Sequence, residues 1–103
     1  GFFDKLDGNT GAVLNSVPVP CGGYGGLIDG QGVLWSSSVG QSQLFRYDLA
    51  LNDLRCISVP SSYGLGIDTA GNIWNAMYSS AAIMKLDGAG NPAPGFPRST
   101  GGT

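Results

Sequence analysis

The feature that most constrains this chain is that it repeats itself. Gly26-Leu27-Ile28-Asp29-Gly30-Gln31-Gly32-Val33-Leu34-Trp35 lies over Leu65-Gly66-Ile67-Asp68-Thr69-Ala70-Gly71-Asn72-Ile73-Trp74 at an offset of 39 residues, and Tyr24 and Tyr63 keep that offset. Leu44-Phe45-Arg46-Tyr47-Asp48 lies over Ile83-Met84-Lys85-Leu86-Asp87, again at 39. A third copy, Phe3-Asp4-Lys5-Leu6-Asp7, precedes the Arg46-Tyr47-Asp48 copy by 41, and Val19-Pro20 and Val59-Pro60 match at 40. A period near 40 means one small structural unit used several times, each needing its neighbour to bury an apolar face.

Within one unit, short β-prone pieces alternate with turn signals. Gly26 to Asp29 is apolar and ends in Asp, and Asp29-Gly30-Gln31-Gly32 is a turn. Val33 to Ser37 is a second strand. Leu44 to Leu49 is a third, with Leu44, Arg46 and Asp48 on one side and Phe45, Tyr47 and Leu49 on the other. Leu54 to Val59 is a fourth. Glycine, at 18 of 103 residues, favours turns over helices. One stretch, Asn75 to Leu86, reads alone as a helix, but its repeat partner Ser36 to Tyr47 carries three serines and Gly40. Equal spacing implies equal backbone, so both are strand, turn, strand. The expected strands are 2–7, 12–19, 26–29, 32–37, 43–49, 53–59, 65–68, 72–77 and 82–87. Pro92, Pro94 and Pro97 restrict the tail to an outer edge strand or a loop. Four short strands in about 40 residues make the blade of a β-propeller, so the expected class is all-β: about 2.5 four-stranded antiparallel blades. The units are 1–23, a half blade holding third and fourth strands; 24–62, a complete blade; and 63–103, a third blade with a Pro/Gly-rich tail.

Two absences narrow the chemistry. The chain has no His and no Glu; its acids are Asp4, Asp7, Asp29, Asp48, Asp53, Asp68 and Asp87. Ser-His-Asp and Cys-His catalysis therefore cannot be completed within it. Two cysteines and scattered aspartates are poor material for zinc. Asp7-Gly8-Asn9-Thr10-Gly11 lacks the Glu that closes an EF-hand loop. Gly22-Gly23-Tyr24-Gly25-Gly26 lacks the Lys-Ser/Thr ending of a phosphate loop and reads as a link between blades. No catalytic residue, metal site or cofactor is expected. A net charge of −2 offers no basic surface to nucleic acid, and no apolar run approaches the roughly 20 residues of a membrane span.

The aspartates beside glycines read as turn caps. Lys5, Arg46 and Lys85 read as solvated strand residues. Trp35 and Trp74 read as packing between neighbouring blades, with a sugar-stacking or ligand platform as the alternative. Tyr24 and Tyr63, just before innermost strands, border one mouth of a channel in this reading and are binding candidates with the two tryptophans. Cys21 and Cys56 are either a disulfide or two buried thiols. Their even number, with low charge, suits an extracellular or periplasmic protein.

The motifs resemble those of the propeller family that includes virginiamycin B lyase-like, NHL and SMP-30-like repeats. The resemblance rests on Gly66-Ile67-Asp68, Gly71-Asn72-Ile73-Trp74 and Lys85-Leu86-Asp87, with Lys5-Leu6-Asp7-Gly8-Asn9-Thr10-Gly11 as a third-to-fourth strand turn. It implies the propeller fold and says little of activity. The family's enzymes place metal-binding acids and, in the lyase, a catalytic His around the channel, and those cannot be carried over. Two functions stay open: a non-catalytic structural or ligand- or protein-binding module, and a fragment of a lyase- or lactonase-like propeller enzyme whose catalytic residues lie outside the chain. Two and a half blades leave apolar faces and strand edges uncovered, so the expected partner is the rest of a longer propeller chain, with a homo-oligomeric ring as runner-up.

Overall fold

The computed structural model describes residues 1–78 and 80–101, and these hold ten strands and no helix. The strands are β1 (Phe2–Leu6), β2 (Val13–Pro18), β3 (Gly26–Ile28), β4 (Val33–Ser36), β5 (Gln43–Asp48), β6 (Asp53–Ser58), β7 (Gly64–Ile67), β8 (Ile73–Ala76), β9 (Ala82–Leu86) and β10 (Arg98–Ser99). The first nine end within one residue of the sequence expectation. Within the helix-like stretch Asn75 to Leu86, the described residues hold the end of β8 and the whole of β9. β10 follows the last proline and pairs only with β9, at the sheet edge.

Three antiparallel sheets result: β1-β2, β3-β4-β5-β6 and β7-β8-β9-β10. Aspartates set the turns. Asp29 Oδ1 accepts the backbone N–H groups of Gln31 and Val33, and Asp68 Oδ1 those of Ala70 and Asn72. Gly71 completes its turn at φ +84°, a backbone shape that disfavours any side chain. Asp7, Asp48 and Asp87 cap their turns in the same way.

The second sheet lies between the other two. Val33 and Trp35 form one buried cluster with Ile73 of the third sheet, joined by Leu27 and Leu65. Leu44 forms another with Met84 and Leu86. On the opposite face, Phe45 and Tyr47 pack with Cys21, Phe3 and Val17 of the first sheet and its loop. With both faces covered, Leu44, Phe45, Arg46 and Tyr47 are all buried, so β5 shows no inside–outside alternation of exposure. Its two faces still separate as the sequence divides them.

Arg46 corrects the expectation of a solvated basic residue. It is 8% exposed, lies over the Trp35 ring at 5.5 Å, and its Nε donates to the Gly88 carbonyl of the third sheet's loop at 3.1 Å. Lys85 is half-buried over Trp74 at 5.2 Å, and Lys5 is exposed. A basic side chain has an apolar stem and a cationic head, so an indole face can hold it where a sheet covers both.

Gly22 shows why the Gly-rich link must be glycine. A Cβ there would sit 2.9 Å from Phe45 Cβ and 3.0 Å from the Ser36 carbonyl, at φ +84°. The link runs tight across the second sheet.

Candidate functional site

The two tryptophans occupy equivalent settings. Trp35 Nε1 donates to Asp29 Oδ2 at 3.0 Å, and Trp74 Nε1 to Asp68 Oδ2 at 2.9 Å. Each carboxylate thus caps its turn with one oxygen and fixes an indole with the other. The Trp74 indole, helped by Asn72, holds the Asp68 pKa down to about 2. For Asp29, burial pushes upward, but the Trp35 indole, the Val33 and Gln31 amides and Arg46 together bring the value below the ordinary one. Asp7, Asp53 and Asp87 are lowered too, first by the Asn9 amide, the Arg55 side chain and the Asn91 amide respectively. These acids are spent on turns and ion pairs.

Trp35 is 0% exposed and offers no ring face to a ligand. Trp74 is half-buried, with Phe96 of the tail edge-on at 5.5 Å. As binding candidates the tryptophans separate from the tyrosines, which the fold brings together on the surface. Tyr24 and Tyr63 stack at 5.2 Å, with hydroxyl oxygens 3.3 Å apart. Tyr78, from the segment after β8, extends the stack against Tyr63 at 5.3 Å. All three are exposed: 62%, 40% and 66%. The Tyr24 hydroxyl pushes the Tyr63 hydroxyl above the ordinary phenol pKa, so Tyr63 stays neutral near pH 7.

A buried polar seam holds the stack. The Tyr24 N–H donates to the Ser37 carbonyl at 3.0 Å, and the Tyr63 N–H to Asn75 Oδ1 at 3.4 Å. The Tyr78 N–H donates to Ser61 Oγ at 3.0 Å, and Asn75 Nδ2 to the Ser61 carbonyl at 2.7 Å. Ser38 N donates to Ser62 Oγ at 3.2 Å, tying the loops of the two four-stranded sheets together. Sequence reasoning missed Tyr78, whose repeat counterpart is Val39, and missed this seam. The one available signal was the pair of serine runs, Ser36-Ser37-Ser38 and Ser61-Ser62.

Cys21 and Cys56 form a disulfide, S–S 2.08 Å, with Cα atoms 6.1 Å apart. Of the two alternatives the bridge is the one the structure contains, and it is compatible with an oxidising environment. Among the described residues no three of His, Cys, Asp or Glu come together as a metal-holding group. Compared with family models, curated proteins and solved structures, the chain matches none.

A stack of exposed phenol rings offers flat apolar faces with hydroxyls at one edge. Its shape and polarity suit planar or ring-shaped ligands, through stacking and hydrogen bonding.

Proposed function

We propose that this chain is a run of β-propeller-type repeats that serves as a non-catalytic binding module of an extracellular or periplasmic protein, with the tyrosine stack as its contact surface. The observation that carries the binding role is the contrast in how polar and aromatic groups are used. The lowered aspartates are engaged in turns, indole bonds or an ion pair, while Tyr24, Tyr63 and Tyr78 stay exposed and held in register. The repeat reading is supported by two four-stranded sheets carrying the same Asp-Trp-cation unit 39 residues apart.

The ligand class that fits is a saccharide, whose ring stacks on phenol faces and whose hydroxyls meet the tyrosine hydroxyls. The test is a titration of the oxidised chain with a panel of neutral oligosaccharides, followed by NMR of the tyrosine ring protons. Saturable shifts at Tyr24, Tyr63 and Tyr78, lost in Tyr63→Ala, are expected. Unmoved ring signals at millimolar sugar would refute the saccharide reading.

A further inference from the structure

Of the four tyrosines, Tyr47 is buried, and its hydroxyl donates to Asn52 Oδ1 at 2.7 Å. The other three gather on one surface, where Tyr24 and Tyr63 stand in a particular geometry. Their planes meet at 29°, with ring centres 5.2 Å apart and hydroxyl oxygens 3.3 Å apart. The two phenols therefore converge toward their oxygens, the end at which the ring carbons ortho to each hydroxyl lie. Tyr78 meets Tyr63 at a steeper 45°, with centres 5.3 Å apart.

The convergence is built into the backbone on both sides. The Tyr24 N–H donates to the Ser37 carbonyl at 3.0 Å, and the next N–H, of Gly25, to Ser37 Oγ at 3.2 Å. The Tyr63 N–H donates to Oδ1 of the fully buried Asn75 at 3.4 Å. Residues 39 apart in sequence, at the entries to β3 and β7, are thus held ring to ring, and both rings stay open to a soluble oxidant. Two reactive groups fixed in contact react as one unit, without the entropy cost of an encounter.

We propose that Tyr24 and Tyr63 are an oxidative cross-linking site, at which a haem peroxidase supplied with hydrogen peroxide joins the two rings as a dityrosine. Each phenol gives up one electron and its hydroxyl proton and becomes a tyrosyl radical, whose spin reaches the ring carbons ortho to oxygen. One such carbon of each ring bonds to the other. The hydrogens on those two carbons move to the oxygens as the rings regain aromaticity. Two electrons and two protons leave the chain, and one hydrogen peroxide takes them up to give two waters. The new bond ties the second sheet to the third, at the contact opposite the one that the Cys21–Cys56 disulfide spans. The inference goes beyond the saccharide reading and does not rest on it. The two fail separately, since the sugar titration is read in ring shifts and the cross-link in peptide masses.

The test treats the dilute, disulfide-bonded chain with a haem peroxidase and hydrogen peroxide, then reduces, alkylates and digests it with trypsin. Cleavage after Lys5, Arg46, Arg55 and Lys85 places Tyr24 in residues 6–46, Tyr47 in 47–55, and Tyr63 with Tyr78 in 56–85. Expected are dityrosine fluorescence on the monomeric chain, and peptides 6–46 and 56–85 joined at the sum of their masses less two hydrogen atoms. Tyr63→Phe keeps a stacking ring without a phenol and lowers the yield of the joined pair at least tenfold. Tyr78→Phe leaves that yield within twofold. The inference is overturned if the joined pair is absent from the monomer, if the fluorescence resides only in dimers and larger species, if Tyr63→Phe leaves the pair in place, or if Tyr78→Phe removes it.

Discussion

Toward the third sheet the central sheet turns Val33, Trp35, Leu44 and Arg46; toward the first it turns Leu34, Phe45 and Tyr47. The first of these contacts joins two four-stranded sheets and closes over a fully buried indole. The second joins four strands to two, leaves a cleft over Leu34, and is spanned by the Cys21–Cys56 disulfide. Repeated sequence therefore does not mean repeated energetics. One face closes over a fully buried indole, and the other combines apolar packing around Phe45 and Tyr47 with a covalent bond. A small β-sheet without a full partner is marginal in water, so a bond that ties it down has more to do.

The comparison breaks most sharply at the indole. Trp35→Ala is expected to cost about 3–5 kcal/mol in urea unfolding, because it empties a buried site and leaves Arg46 without its platform. Leu34→Ala, at the half-filled counterpart, is expected to cost about 1–2 kcal/mol, since only part of the side chain is out of water. Equal losses would mean the two faces are packed alike.

Removing the bridge comes next. The disulfide spans 35 residues, and on the loop-entropy account its loss costs about 3–4 kcal/mol. Denaturant melts of the Cys21→Ser, Cys56→Ser double variant check this. A loss below about 1 kcal/mol would show that the first sheet is held by packing after all.

The cations sharpen the contrast. Arg46→Ala removes a buried stem, a bond to Gly88 and a cation over Trp35, and is expected to cost about 1–3 kcal/mol. Lys85→Ala, less buried over Trp74, is expected to cost under about 1 kcal/mol in the same melts.

The strand order was legible because tight Asp-Gly turns and β-prone runs are local, and because the repeat overruled the helix-like run Asn75–Leu86. Which face each strand buries was less so. In β5 every residue from Leu44 to Tyr47 is buried, so the exposure of Arg46 could not be read from alternation; it depends on the third sheet arriving above it. The cysteine bond was likewise undecided by spacing, since it needs Cys21 of a loop to reach β6. Of the candidate site, Tyr24 and Tyr63 were visible through their offset. Tyr78 was not, because it breaks the repeat that revealed the others.

A smaller effect should appear with acid. Asp68 holds a pKa of about 2, and Asp7, Asp29, Asp53 and Asp87 are also lowered. Folded values below the unfolded one mean that this stabilisation is complete above about pH 4 and drains as pH falls toward 2. The melting temperature should hold from pH 7 to 5 and drop below 4. Asp68→Asn should be less stable at pH 7 and show a shallower acid drop, read from melts across that range. An unchanged acid limb would mean that Asp68 contributes no such linkage.

The unequal holding of the two faces is tested most directly by residue-resolved amide hydrogen exchange on the oxidised and the reduced chain. In the oxidised chain β4 and β5 should exchange slowest. On reduction, β1 and β2 should lose protection at least tenfold more than β7, β8 and β9. A uniform loss across all three sheets, or no loss in β1 and β2, would contradict the account.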